Sequence, residues 1–351
     1  MKKNQITKRQ NFILQVIGTL GEASNQEIVS RVSDDFDKSS RITVIRDLNV
    51  LLGKKLIKKS GEGRGVVYAT NIPFLERSFD ADSYFSKGPD EREIKKERVD
   101  FNNSSIWKNL FSSSESPSIF SLTKEYQKRI SKYNLAQIKR ELERITIEFS
   151  WKSSRIEGNT YTLLDTERLI KEHKEAKGKT HEEAAMILNH KKALEYVWAR
   201  PKDFRIISVR KIEDLHSLIS ADLGIRKGLR KRGVGIVGTA YKPLDNIFQI
   251  REALESLCKL VNGIKDPFLK ALVAVSGISY IQPFEDGNKR TSRLIGNALL
   301  VANNYCPLSY RSADEVEYKK AIILFYEQHL LAMFKKMFIE QYGFAVSNYF
   351  L

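Results

Sequence analysis

From Ser118 onward, apolar residues recur at helical spacing with one long interruption, and this periodicity restricts that part of the chain to a mainly α arrangement. The spacing predicts helices over 121–130, 132–157, 162–173, 180–199, 208–220, 246–264, 266–279, 288–303 and 313–341. The interruption, RKGLRKRGVGIVGTAYKPLD at 226–245, combines glycines, alternating Val234, Ile236 and Thr239, and a closing Pro243. It reads as a short β-hairpin or flap. No internal repeat is visible.

The first seventy residues follow another pattern. Residues 7–20 set Phe12, Ile13, Val16, Ile17 and Leu20 at helical spacing, with Gly21 as a stop. Ser24 followed by Glu27 is a capping-box pair, and Ile28 and Val32 continue the stripe. In SSRITVIRDLNVLLGKK, Val44, Leu48 and Leu51 or Leu52 point inward while Arg41, Thr43 and Arg46 point out. LIKKSGEGRGVVYAT reads as strand, glycine-rich tip, strand. Residues 1–70 thus resemble the winged helix-turn-helix of bacterial regulators, with RITVIRDLNVL as recognition helix. The resemblance implies DNA as a partner, faced by Ser39, Ser40, Arg41, Thr43 and Arg46 in the major groove, with Lys58, Lys59 and Arg64 on phosphates. This segment holds 13 basic and 7 acidic residues, a formal +6. A protein-docking or dimerisation module stays open, because Asp34, Asp35 and Asp37 lie just before the third helix.

Residues 71–118 read as a connector. SKGPDEREIKKERVDFNNSS is strongly charged, SSSESPS is a breaker, and only the region of Tyr84 to Lys87 suggests a short element. The net charge of +16 over 351 residues favours nucleic acid, nucleotide phosphates or an acidic protein. Cys258 and Cys306 are too few for a disulfide framework and fit no metal motif. With no apolar run of membrane-spanning length and no signal-peptide pattern, the expectation is a cytoplasmic protein without a membrane partner.

The stretch YIQPFEDGNKRTSRLIG, Tyr280 to Gly296, carries the most chemistry. Pro283 and Phe284 turn the chain, Glu285 and Asp286 offer carboxylates to a hard divalent ion, and Gly287 permits close backbone approach. The helix that follows points its first N–H groups back at the loop, where an anion can bind. Arg290, Arg293 and Asn297 share one face at i, i+3 and i+7, opposite an apolar face of Leu294, Ile295, Ala298, Leu299 and Ala302.

QPFEDGNKRTSR resembles the signature of the Fic family: His-Pro-Phe, a variable residue, Asp or Glu, Gly-Asn-Gly-Arg, two residues, Arg. SSRIEGNTYTLLDTERLI, AMILNHKKALEYV, IEDLHSLI and YKKAIILFYEQ also look like segments of bacterial Fic proteins, so the resemblance runs over about 119–345. It implies an all-α fold with a small β-hairpin flap and transfer of AMP from ATP to a protein Ser, Thr or Tyr hydroxyl. Doc-type relatives phosphorylate instead. Carried over, Asp286 would hold Mg2+, Gly287 and Asn288 would line the anion pocket, and Arg290 and Arg293 would grip the β- and γ-phosphates. A flap over 234–243, including Val234, Ile236, Gly238 and Tyr241, would pin the target by strand addition. SSRIEGN resembles the family's inhibitory motif. Glu157, before the helix stop at Gly158, would pair with Arg293, with Ser153 four residues earlier. A carboxylate at a helix C-terminus needs such a cation, because it faces the negative end of the dipole.

Two positions depart from the signature. Gln282 stands where the family has its general-base histidine, and losing a base typically costs about 10²–10⁴-fold in rate. Lys289 replaces a glycine, as in the Doc pattern, so it joins the nucleotide-binding set with nucleotide orientation open. Of the five histidines, His216 matches a structural helix histidine of the family, and none reads as a substitute base. Three readings follow: an autoinhibited adenylyltransferase impaired at Gln282, an ATP-binding regulator acting through the winged helix, and a Doc-like phosphotransferase. The target, which can include the chain itself, and any homodimer lie outside the sequence.

Overall fold

The computed structural model describes residues 6–351 except 21, 37, 38, 55, 71–73, 77, 78, 108 and 109, together with the side chains of 15, 18, 19, 64, 74 and 105. Gly21, Asp37 and the Arg64 side chain therefore lie outside the described residues. The chain divides into two units, Met1–Lys87 with Ser105–Leu110, and Gly88–Ser104 with Phe111–Leu351.

In the first unit, α1 (Lys8–Leu20), α2 (Asn25–Asp35) and α3 (Arg41–Gly53) pack around Ile13, Ile17, Ile28, Val32, Val44, Leu48 and Leu51. Full burial of each such side chain contributes about 1.5–3 kcal/mol. Ser24 caps α2 reciprocally with Glu27: the Glu27 amide donates to Ser24 Oγ at 3.3 Å, and the Ser24 amide donates to the Glu27 carboxylate at 2.8 Å. A short strand that the sequence did not announce, β1 (Glu22–Ser24), joins the hairpin β2 (Ile57–Ser60) and β3 (Val67–Thr70) in an antiparallel sheet of order β1-β3-β2. β2 is an edge strand, so Lys58 and Lys59 point to opposite faces and both stay exposed. Arg41 and Arg46 are exposed on α3. Ser40 and Thr43 are engaged with each other at 3.0 Å as part of the α3 cap. Asp47 is turned inward and neutralised, accepting from Arg9 at 2.5 Å and Gln10 at 2.8 Å. α4 (Ala81–Phe85) follows, capped by Asp80.

The second unit is helical: α5 (Glu115–Ile130), α6 (Leu135–Ile156), α7 (Leu163–Glu172), α8 (His181–Ala199), α9 (Val209–Ile219), α10 (Ile247–Gly263), α11 (Pro267–Ile281), α12 (Asn288–Ala302), α13 (Glu315–Gln328) and α14 (Ala332–Asn348). α11 and α12 form its centre. α11 is buried all round from Ala271 to Ile281, the mark of a helix inside a core. Gly296 lets α12 approach it, because a Cβ there would stand 2.5 Å from the Val275 side chain.

Four expectations are corrected. The SSSESPS breaker does not delay α5, which starts at Glu115: Pro117 falls in the first turn, where no N–H is needed. The helix expected over 313–341 is two helices. His329 closes α13 in the left-handed region at φ 57°, and Leu330 and Leu331 are buried between the two. Residues 226–245 leave the helices but form no strand pair. Their glycines leave too few side chains to pack a hairpin, and the loop is held from its base by Arg230 instead. Asn297 also leaves the expected phosphate face, since its amide bonds both backbone groups of Leu308 at 2.7 and 2.8 Å.

Candidate phosphate and acceptor site

Five elements meet at a cavity of about 380 Å³: the C-terminus of α6, the loop between α11 and α12, the α12 N-terminus, the 234–237 stretch of the flap and α13, through Lys319, Ile322, Ile323 and Tyr326. That volume lies in the range of about 300–1,000 Å³ usual for small-molecule sites.

The α11–α12 loop is built to face it. Gln282 ends α11 in the left-handed region at φ 51°, and Gly287 opens α12 at φ 77°. A Cβ at Gly287 would also come within 3.6 Å of the His216 ring and Arg290. Asn288 spends its side chain on the loop, accepting from the Phe284 amide at 2.8 Å and donating to the Phe284 carbonyl at 2.9 Å. It therefore shapes the pocket rather than offering its amide to it. His216 stacks on Phe284 at 3.7 Å and donates from Nε2 to the Asp286 carbonyl at 3.0 Å. Burial pushes its pKa down to about 4, so the ring is neutral near pH 7 and Nε2 carries the proton.

Two arginines stand behind the loop. Arg290 is 1% exposed and donates through Nη2 to Asp286 at 2.9 Å, while its buried Nη1 has no partner among the described residues. Burial lowers its pKa, offset in part by Asp286. Arg293 is fully buried. It donates through Nε to Ser153 Oγ at 3.0 Å, and through Nη2 to the Ser153 carbonyl and the Glu157 carboxylate, both at 2.9 Å. Burial works against its charge, but Tyr318 and Glu157 more than offset this and hold its pKa above the ordinary value.

Glu157 is the C-cap of α6, and Gly158 turns the chain at φ 100°. Its second oxygen meets Lys289 Nζ at 2.8 Å. Burial tends to raise its pKa, but Arg293 and Lys289 prevail and bring it down to about 2. Two cations on one carboxylate resolve the dipole conflict at the end of α6.

Ser153 is set by His190. Burial holds His190 neutral, with a pKa near 3, and its Nδ1–H donates to the Met186 carbonyl at 2.8 Å. Nε2 is thus the acceptor for the Ser153 hydroxyl at 2.9 Å, which leaves a Ser153 lone pair for Arg293.

Gln282 lines the cavity, but its amide donates to the Ser279 carbonyl at 2.6 Å. No histidine lines the cavity among the described residues. Val234 and Ile236 line it, whereas Gly238 does not and Tyr241 is turned into the core, donating to the Tyr280 carbonyl at 3.1 Å. Sequence reasoning missed Arg230, which is fully buried. Its Nε donates to the Gln282 carbonyl at 2.6 Å, its Nη1 to the Arg232 carbonyl at 2.8 Å and its Nη2 to the Leu244 carbonyl. It ties both ends of the flap to the α11 terminus. A lone arginine among five neighbouring basic residues gave no signal of this.

The cavity suits a polyphosphate. Arg290 Nη1 is a buried donor awaiting an acceptor, and the first-turn amides of α12 have neither intrahelical carbonyls nor a side-chain cap. The Asp286 side chain is 69% exposed at the rim. Among the described residues, no group of three or more His, Cys, Asp or Glu converges on a metal. A magnesium ion would need Asp286 plus substrate oxygens and water, which is its usual mode.

A sequence model of the Fic/DOC family matches residues 206–300. The protein adenylyltransferase Fic of Nematostella vectensis is 27% identical over 193 residues, covering 52% of this chain and 43% of that protein. Its counterpart in Drosophila willistoni is 29% identical over 156 residues, covering 44% and 31%. The chain spans less than half the length of these relatives. Among solved structures, a fragment of Fic-1 from C. elegans aligns with a TM-score of 0.60 at 19% identity, covering 70% of this chain and 76% of that one. A Fic domain containing signaling protein from Bacteroides thetaiotaomicron aligns at 0.54 and 20% identity, covering 65% and 95%. At these identities the structures speak for the fold. Among the described residues, no helix is long and apolar enough to cross a membrane. The loop and its two arginines fall within the matched segment, and residues 206–300 of this mainly helical chain are a Fic/DOC family domain.

Proposed function

We propose that the cavity binds ATP and transfers AMP to a protein hydroxyl, that Glu157 holds it closed, and that Gln282 limits its turnover. The observation that carries this reading is the Glu157 carboxylate bridged by Arg293 and Lys289 beside the uncapped start of α12. Both cations are occupied by an internal anion, so a phosphate has to displace it. With Glu157 withdrawn, Arg293 and Lys289 join Arg290 and the α12 amides around the phosphates. Asp286 would hold magnesium, which would neutralise phosphate charge and orient the α-phosphate. In the transfer, the acceptor oxygen bonds to the α-phosphorus, the bond to the β-bridging oxygen breaks, and pyrophosphate leaves. The hydroxyl proton then needs an acceptor. A carboxamide is not one near neutral pH, which is why turnover is weak. The 234–238 backbone would hold the acceptor segment by strand addition.

The test uses ATP labelled at the α- or γ-phosphate with four forms: the given chain, Glu157→Gly, Gln282→His and the double variant. Self-modification is scored. The α-label should enter chiefly the double variant, strong labelling of the given chain would contradict a disabled base, and γ-label alone would favour Doc-like phosphotransfer. The Gln282 amide bonded back to Ser279 supports a second reading, an ATP-binding regulator with little turnover. Under that reading the first unit acts as a winged helix on DNA, through Ser40, Arg41, Thr43, Arg46, Lys58, Lys59 and Arg64.

A further inference from the structure

The charged stretch after Gly88, read from sequence as linker, is woven into the flap. Arg92, whose side chain is 4% exposed, donates through Nη2 to the flap carbonyl of Gly238 at 2.5 Å and pairs with Glu327 at 3.2 Å. Glu327 is itself buried near the end of α13, and the same Oε1 accepts from the flap's Thr239 hydroxyl at 2.5 Å. Thr239 Oγ1 in turn accepts from the Tyr241 amide at 3.0 Å. Around this centre, the Lys95 amide donates to the Glu327 carbonyl at 2.9 Å, Gln328 donates to the Glu93 carbonyl at 2.5 Å, and Arg98 donates to the Lys242 carbonyl at 3.2 Å. One charged pair thus joins three separate segments: the strap at 92–98, the C-terminal arm of the flap at 238–242, and α13.

We infer that Arg92 is a positioning residue for the flap. Arg230 fixes the flap's base, and Arg92 with Glu327 fixes the arm that leads out of the cavity-lining stretch 234–237. Among the described residues the flap has no strand partner, so its path depends on these side chains. A flexible flap would offer an acceptor segment no fixed backbone to pair with. The inference rests on the proposed role of 234–238 in holding the acceptor. It adds that the strap sets acceptor positioning without touching the phosphates.

Hydrogen exchange on the full chain tests it without requiring turnover. The Tyr241 amide reports on the arm, and the Arg230 amide, which donates to the Pro283 carbonyl at 3.0 Å, is the control at the other end. Arg92→Met should speed Tyr241 exchange by about tenfold, the size of one lost charge-assisted hydrogen bond, and leave Arg230 unchanged. Arg92→Lys keeps the charge and one donor and should restore most of the protection, which a merely space-filling role does not predict. Unchanged Tyr241 exchange in Arg92→Met, or equal losses for Met and Lys, would overturn the inference. In the Glu157→Gly/Gln282→His background, adding Arg92→Met should lower α-label incorporation without changing the half-saturating ATP concentration. A loosened arm with undiminished incorporation would overturn the acceptor role. If the parent double variant incorporates nothing, the transferase reading fails, and exchange still decides the strap.

Discussion

Replacing Glu157 with glutamine should make the protein less stable and yet more responsive to ATP. Glutamine imitates the protonated acid, so the cost can be worked from the carboxyl's own titration. The drop from the ordinary 4.5 to about 2 corresponds, at about 1.4 kcal/mol per pH unit, to about 3 kcal/mol of stability. Breaking a buried pair by removing one partner costs about 3–5 kcal/mol, and with Arg293 fully buried but the Glu157 side chain 16% exposed the low end of that range applies. For a unit of this size, about 3 kcal/mol lowers Tm by roughly 6–12 °C at pH 7. The folded pKa is depressed, so this stability is fully present above pH 4.5 and is lost as pH falls through about 2. The gap between the given chain and Glu157→Gln must therefore shrink on acidification and nearly vanish near pH 2. Added ATP should raise the variant's Tm more than the parent's, because phosphate replaces the missing anion; saturation at 100 times Kd contributes about 2.7 kcal/mol. Scanning calorimetry across pH 2–7, with and without MgATP, reads all three effects. Equal Tm values at pH 7, or a gap that does not change with pH, would refute the double pair.

Gly287→Ala should destabilise by about 1–3 kcal/mol and weaken ATP binding, since φ 77° strains any side chain and the new Cβ abuts His216; urea denaturation with titration calorimetry checks both. Arg230→Met should leave three backbone carbonyls without their donor and open the flap base, seen as faster tryptic cleavage at Lys231 and Arg232. DNA binding by the first unit should weaken steeply with salt, and neutralising Lys58 and Lys59 should reduce the salt slope by about 2; a protein-docking module would show neither effect.

The long helices were legible because their apolar spacing is strict, and the α12 start because Gly287 supplies the left-handed turn that opens it. What escaped the sequence depends on contacts between distant positions. Lys289 looked like a change of nucleotide contact, and only the approach of α6 makes it the second cation on Glu157. The flap's glycines and alternating valine and isoleucine imitate a hairpin, yet the buried guanidinium of Arg230 replaces the ladder. Arg92 sits in a stretch whose composition is that of a linker, and nothing in the local pattern marks one arginine there as buried. The break at His329 lacks glycine or proline, so it carried no punctuation. Tyr241 shared the flap's alternation, but its ring was drawn into the aromatic group of Tyr280 and Tyr326.

In the proposed reading an internal carboxylate, Glu157, occupies a nucleotide-phosphate site. Titration calorimetry of MgATP against the given chain and Glu157→Gly tests it most directly. Freed of a competitor held by about 3 kcal/mol, the variant should bind at least about tenfold tighter. Equal affinity in the two proteins would contradict the claim.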